Sequence, residues 1–484
     1  MSPQSLLLSV LAYFGLLYAV AWRTSKGAHN ADFFIGGRNS PWPLVAFGMI
    51  GTALSGVTFV SVPGSVGADG FTYLQVVLGQ TLGYVIVAFV LLPLYYRLGH
   101  VSIYAWLERR LGDWGWQTAA VLFIISRTLG ATARLYLVIR ILQDISFGSL
   151  GIPFAVSAFV IIGMILLYTW RGGVKTIVWT DTLQTAAMLF GLAACIVFLV
   201  KALPFTLPEM WRQAEGAGLT RIWGTEPDGR DFWLKQLLAG AAIGLAMTGL
   251  DQEQMQKNIS VRTLPESQVN MMVTGIAMLL VVAAFLALGA LLTVFAQHVG
   301  LDARGDRLFP AVVMGYLPVG LQLVFVIALI SALFPSADGA LTALTSSTCN
   351  DVLRFERRRD LDEAARTRLR MRIHLTFAGV FALLTVVFRW IDDPSMIGLI
   401  LRIAAYTYGP LFGLAAYALI ARRPAQGPLI AAAAVAAPLL CLILDATQAR
   451  IFATYRIGLE MLLINAGVTY ALLGLVSLKS RATR

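Results

Sequence analysis

The chain has 484 residues, 58% of them hydrophobic and 13% charged, and its mean hydropathy is +0.75. That composition excludes an ordinary water-soluble domain and describes a polytopic membrane protein. A net charge of +11 would suit nucleic acid in a soluble chain, but here the basic residues sit in short loops between apolar spans, where membrane orientation accounts for them and no nucleic acid is implied.

Thirteen spans are predicted, near 3–22, 41–63, 72–97, 115–147, 152–170, 174–202, 232–251, 268–298, 317–350, 372–391, 395–420, 428–446 and 457–479. The first is expected to be a spanning helix rather than a cleaved signal, because its apolar run is long and Arg23 and Lys26 follow it with no basic region before it. Loop charge orients the set. Arg23, Lys26 and Arg38 follow the first span, Arg97, Arg109 and Arg110 the third, Arg171 and Lys175 the fifth, and Lys257 and Arg262 the seventh. Eight arginines lie between Arg354 and Arg372, Arg422 and Arg423 follow the eleventh span, and Lys479, Arg481 and Arg484 lie in the tail. Connections 64–71 and 148–151 carry neither Lys nor Arg. The alternation places the N-terminus outside and the C-terminus in the cytoplasm of a cell (inner) membrane. Loop 203–231 mixes both signs, and no soluble domain is expected, only short amphipathic pieces. Cys195, Cys349 and Cys441 offer neither a disulfide framework nor a metal spacing, and His29, His100, His298 and His374 fall at span ends or in loops, which argues against a histidine metal site.

Two spans look interrupted. The second contains Gly48, Gly51, Gly56, Pro63 and Gly64 among Thr52, Ser55 and Thr58, and the seventh carries Gly240, Gly244 and Gly249 before Asp251 and Gln252. They lie five spans apart. Broken helices at corresponding places point to an inverted repeat with a binding site at the membrane midplane, against the alternative that glycine is simply frequent in membrane helices. The repeats would be 41–202 and 232–420, with an extra helix at 3–22 and two more in 428–479, all in one transmembrane domain.

Other intramembrane polar groups are few. Asp181 lies about two turns past Lys175, with no base within a turn on its own helix, and a carboxylate there is expected to be functional. Of Arg127, Arg134 and Arg140 in the fourth span, Arg134 near the middle needs an internal anion or carbonyls, either from a substrate or from the protein. Arg402 is similar. Gln75 and Gln80 would line a pocket for a polar solute or bond helix to helix. In the ninth span, Ser331, Pro335, Asp338, Thr342, Thr345 and Ser346 share one side of the helix, opposite Leu333, Phe334, Ala337, Ala340, Leu341 and Leu344, with Ser336 on the flank. A carboxylate at that depth needs a partner, water or an ion. Pro335 also removes the amide that would bond the carbonyl of Ser331. Oxygens on one arc suit a hard cation such as Na⁺; a small-residue packing stripe is the alternative.

These places together resemble the sodium:solute symporter family. The resemblance rests on ADFFIGGR before the second span, GTALSGVTFVSVPG, VWTDTLQ, DQEQMQK and the hydroxyl-rich ninth span ending in Asn350–Asp351, and it covers nearly the whole chain. It implies an all-α LeuT-type fold of five-plus-five inverted helices, with one additional N-terminal and two additional C-terminal helices. It implies a sodium site made by carbonyls of Gly51, Leu54 and Ala332 and the hydroxyl of Ser336, with Pro335 standing where the family has another hydroxyl. Some relatives have a second sodium, whose ligand positions match Asp181, Asp338 and Gly339. LSGVTF resembles the turn with which sialic acid transporters of the family hold a carboxylate, here Ser55 and Thr58. Gln75, Gln80, Arg134 and Asp251 complete the expected substrate set. The function implied is Na⁺-coupled uptake of a small polar organic solute (a sugar, sialic acid or other organic acid) by alternating access, by a monomer in the bilayer. The alternatives are proton coupling through Asp338 and Asp181, or a solute sensor that does not transport. An enzyme is not expected, since there is no HExxH, no intramembrane His and no paired nucleophile and base.

Overall fold

The computed structural model describes residues 3–25, 33–34, 39–99, 102–358, 360, 362–391, 395–452 and 454–482. His29, His100, Lys26, Arg38 and most of the ADFFIGGR motif lie outside the described residues. The protein is all-α, and no strand occurs among the described residues, where only isolated bridges join Ser40 to Val261 and Gly224 to Phe232. The helices are α1 Pro3–Thr24, α2 Trp42–Ala53, α3 Gly56–Asp69, α4 Tyr73–Leu98, α5 Ala105–Phe147, α6 Phe154–Ala202, α7 Leu207–Gly216 and α8 Trp233–Gly249. They continue with α9 Gln252–Ile259, α10 Leu264–Val299, α11 Leu308–Tyr316, α12 Val319–Val352, α13 Glu363–Phe388, α14 Met396–Ile420, α15 Leu429–Ile451 and α16 Met461–Ala482.

Among the described residues, ten helices are long and apolar enough to cross a membrane. Two further spans are broken: α2 and α3 meet at 54°, and α8 and α9 at 65°. With the shorter apolar helix Phe154–Trp170 these account for the thirteen predicted spans. Inside α6, Gly173 at φ +51° ends that short helix and lets Thr176–Ala202 begin. A Cβ there would sit 2.5 Å from backbone atoms of Phe33.

The two breaks are made by the residues beside them. Ser55 leaves the helical region, with ψ 167°, so the carbonyls ending α2 have no continuing turn to accept. At the second break Asp251 is extended, and its carboxylate caps α9 by accepting from the amides of Glu253 at 2.9 Å and Gln254 at 3.2 Å. The break therefore falls after the glycines of the seventh span. Gly240 and Gly244 instead face Gly79 and Gly83 of α4, four residues apart on each helix. A Cβ on Gly79 or Gly240 would lie 2.2 Å from a carbonyl oxygen of the other helix. This is small-residue packing that lets two backbones touch. Gly240→Ala is expected to cost about 1–3 kcal/mol and to lower the temperature at which the detergent-solubilised protein loses its monodisperse elution peak; an unchanged temperature would mean that α4 and α8 separate freely.

Because α9 resumes after the cap, Lys257 is not a residue of the cytoplasmic loop, where the charge count placed it. It is 2% exposed, in the middle of the protein. His374 is likewise not at a free span end: it is buried on α13 between the hydroxyls of Thr169 and Thr345, 3.0 and 2.9 Å away. On α12 both sides of the wheel are buried from Phe325 to Ser347, except the flank of Ile327. Its polar side packs towards α6 and α9, and its apolar side joins the general core. The half of α3 beyond the break is held by an aromatic cluster, Phe59 with Phe285, Phe309 and Phe325, at ring separations of 5.4–5.8 Å.

Candidate functional site

A cavity of about 90 Å³ lies where the two broken spans cross. The first break supplies Thr52, Ser55 and Thr58, and the second supplies Met247, Thr248 and Gln254. Tyr73 and Gln80 enter from α4 and Arg127 and Arg134 from α5, while Met278, Ile397 and Leu401 close it with apolar surface. A small polar chamber with apolar walls, set at the ends of interrupted helices, is the form a midplane solute site takes.

Arg134 is the half-buried cation of this chamber and forms no ion pair among the described residues. Arg127 differs. Its guanidinium is hydrogen-bonded to the carboxylate of Glu253 and lies 3.7 Å from Asp251, so its charge is answered within the protein. Ser55 and Thr58 reach the chamber, as does Gln80. Gln75 does not line it; its amide donates to the carbonyls of Thr72 at 3.2 Å and Asp231 at 3.3 Å, tying α4 to the loop before α8. Asp251 does not line it either. Besides capping α9 it accepts from the hydroxyl of Tyr408 at 2.7 Å, so both of its oxygens are engaged within the protein. Arg402 borders a separate cavity with Tyr406 and Asp445.

The residues expected at the first sodium site come from the first break and from α12. Helix α2 ends at Ala53, and Leu54 and Ser55 form the turn, so carbonyls in Gly51–Leu54 are released from helical bonding. Ser336 donates to the carbonyl of Leu333 at 2.8 Å, which leaves the lone pairs of its oxygen free. Pro335 stays inside the helix without breaking it. The hydroxyl of Ser331 donates to Ile327 at 2.6 Å and lies 2.6 Å from that of Tyr13. Thr185, one turn after Asp181, carries no local signal in the sequence but joins this group. It is fully buried, its hydroxyl has no hydrogen-bond partner among the described residues, and a Cβ on Gly51 would lie 2.1 Å from that oxygen. A buried hydroxyl without a hydrogen-bond partner among the described residues, beside the opened end of α2, is the kind of oxygen a hard cation takes.

The residues expected at the second sodium site also gather, but around another cation. Lys257 donates from Nζ to Asp181 Oδ2 at 2.7 Å and to Thr52 Oγ1 at 2.6 Å, and lies 3.4 Å from Glu253 Oε1. Asp338 accepts from the hydroxyl of Tyr168 at 2.6 Å and from the amide of Gly339 at 2.5 Å, within Coulombic reach of both Asp181 and Lys257. Gly339 is where Glu253 fits: a Cβ there would lie 2.2 Å from Glu253 Oε1. Glu253 and Lys257 were visible in DQEQMQK, but nothing local marked them as buried.

This architecture defines a polytopic membrane protein with two broken spans around a central chamber, the LeuT-type inverted-repeat fold with one additional helix before the repeats and two after. Residues 33–433 match the sodium:solute symporter family, and the chain belongs to that family. It is similar to the human sodium/iodide cotransporter (26% identity, over 72% of this chain and 55% of that one) and to human sodium-coupled monocarboxylate transporter 1 (26%, 72% and 57%). The chain thus spans little more than half the length of these relatives. A sodium/sialic acid symporter of Proteus mirabilis is 21% identical over 86% of this chain and 85% of its own. A solved Na⁺-coupled sialic acid symporter, substrate-bound and outward-open, shares the fold with a TM-score of 0.82 at 18% identity, over 98% of this chain and 97% of that one. A nucleobase-cation-symport-1 family transporter in a closed conformation gives 0.54 at 13%, over 90% and 92%. All are named as transporters, in agreement with the expectation that the chain is not an enzyme.

Proposed function

We propose that the protein is a sodium-coupled symporter that takes up a small organic anion by alternating access. The observation that carries this is Arg134, a cation with no hydrogen bond or ion pair among the described residues, facing a chamber that otherwise offers hydroxyls, the amides of Gln80 and Gln254 and the already paired guanidinium of Arg127. A carboxylate between Arg134 and the hydroxyls of Ser55 and Thr58, with Gln80 beside them, would satisfy that charge. Iodide, monocarboxylates and sialic acid, for which the relatives are named, are all anions. Na⁺ would bind the carbonyls of Gly51, Leu54 and Ala332 and the hydroxyl of Ser336, and the spare hydroxyl of Thr185 stands beside Gly51 where Pro335 supplies none. Binding at the turn between α2 and α3 would link ion and solute, since Leu54 and Ser55 are adjacent. The moving units would be the repeats 41–202 and 232–420, in a monomer in the inner membrane with the N-terminus outside and the C-terminus in the cytoplasm.

Uptake into proteoliposomes under an imposed Na⁺ gradient, across a panel of small carboxylates, neutral sugars and polyols, tests this. Accumulation of a carboxylate that collapses without Na⁺ is expected. Accumulation driven by a proton gradient in sodium-free buffer would replace the coupling ion, and preference for neutral solutes would remove Arg134 from the site. Within the same assay, Ser336→Ala should raise the Na⁺ concentration for half-maximal uptake. One hydrogen-bond-strength contact to a charge is worth roughly 1.5–3 kcal/mol, or about 10–150-fold. An unmoved sodium dependence would place the ion elsewhere.

A further inference from the structure

We propose that the ammonium of Lys257 is a built-in cation occupying the second ion position, so that this symporter couples a single Na⁺, at the first position. It rests on the sodium-symport reading above and goes beyond it in stoichiometry.

The geometry is specific. Lys257 reaches Asp181 from the far side of the second break, bonds Thr52 on α2, and lies within ion-pair distance of Glu253 one turn back on its own helix. A lysine ammonium is a compact point charge with three donors, and here it meets three oxygens from three helices, as a small ion would. Asp181 Oδ1 is buried without a hydrogen-bond partner among the described residues, so this carboxylate has one oxygen on the ammonium and one spare. The expected ligand at position 339 is excluded sterically, because Glu253 occupies the space where its side chain would project. Asp338 is turned to Tyr168. The charge inventory agrees. Four buried acids, Asp181, Asp251, Glu253 and Asp338, face Arg127, Lys257 and the Arg134 of the solute chamber. Removing the ammonium leaves Asp181 and Asp338, which already feel each other, with no cation beside them. An Na⁺ ion carries the same charge as the lost ammonium, and Asp181 with Thr52 already presents oxygens to it.

Equilibrium binding of radioactive Na⁺ to the purified full-length protein in detergent tests this without knowing the solute. One Na⁺ per protein is expected for the wild type and for Lys257→Arg, two for Lys257→Ala, and one again for Lys257→Ala with Asp181→Asn. Should Lys257→Ala fail to fold, Asp181→Asn in the wild-type background decides: the count stays at one if Lys257 already excludes the ion. Two ions in the wild type, falling to one with Asp181→Asn, would overturn the proposal, as would a folded Lys257→Ala that gains none. Zero ions in the wild type would refute the sodium-symport reading instead. The gain on Lys257→Ala would then still decide whether the ammonium holds the second position, a gain of one upholding that occupancy and no gain overturning it.

Discussion

Arg134→Ala is expected to abolish accumulation of the anionic solute at concentrations that saturate the wild type, while leaving the protein as stable as before. Charge-assisted contacts to a carboxylate are worth roughly 1.5–3 kcal/mol, and a bidentate guanidinium makes two, so a loss in affinity of about 100-fold or more follows. Stability should hold because the guanidinium has no ion-pair partner among the described residues to leave behind. Arg134→Lys keeps the charge but not the planar fork, and should recover only part of the affinity. Uptake of the best carboxylate from the panel, with thermal stability followed in parallel, checks both. If Arg134→Ala binds the solute as the wild type does, the chamber recognises something other than an anion. If it unfolds instead, Arg134 answers the buried acids and belongs with Arg127.

The second large effect concerns that neighbour. Glu253→Gln is expected to destabilise the protein by about 3–5 kcal/mol, because it leaves the buried guanidinium of Arg127 facing only Asp251, 3.7 Å away. Asp251 cannot compensate, since it is held by the α9 cap and by Tyr408. A buried pair is costly to break and cheap to remove whole, so Arg127→Met combined with Glu253→Met should recover most of the loss. Heating in detergent with the folded fraction read by size exclusion separates the two outcomes. Equal losses in the single and double variants would mean that Glu253 acts through Lys257 and Gly339 rather than through Arg127.

These two arginines show where sequence reasoning stopped. Both were visible as intramembrane cations seven residues apart on one helix, and spacing along that helix said nothing of which one had an internal partner. The carboxylate that answers Arg127 is 126 residues away in sequence. Ser55, Thr58 and Gln80 could be placed at the chamber because the break and the third span announce themselves locally. Gln75, one and a half turns from Gln80, points to the connecting loop instead. Asp251 caps α9 rather than lining the chamber, and an aspartate before a short polar helix is itself a cap signal.

What the sequence determined by itself is whatever depends on neighbours along the chain. Apolar runs long enough to span a bilayer set the number and order of the helices, because an unpaired backbone cannot remain in lipid. The Ser55–Gly56 and Asp251 positions set the breaks, because side chains and dihedrals a few residues apart decide whether a helix continues. Tertiary structure alone decided the fate of the charges. Lys257 reads as a loop base beside Arg262, yet the cap at Asp251 restarts a helix that carries it inward to Asp181, 76 residues away in sequence. Gly339 reads as one more small residue, yet its missing side chain is what admits Glu253. A buried ion is tolerated only where opposite charge or polar atoms meet it. Those atoms arrive from other helices, so which cations are answered within the protein is settled by packing.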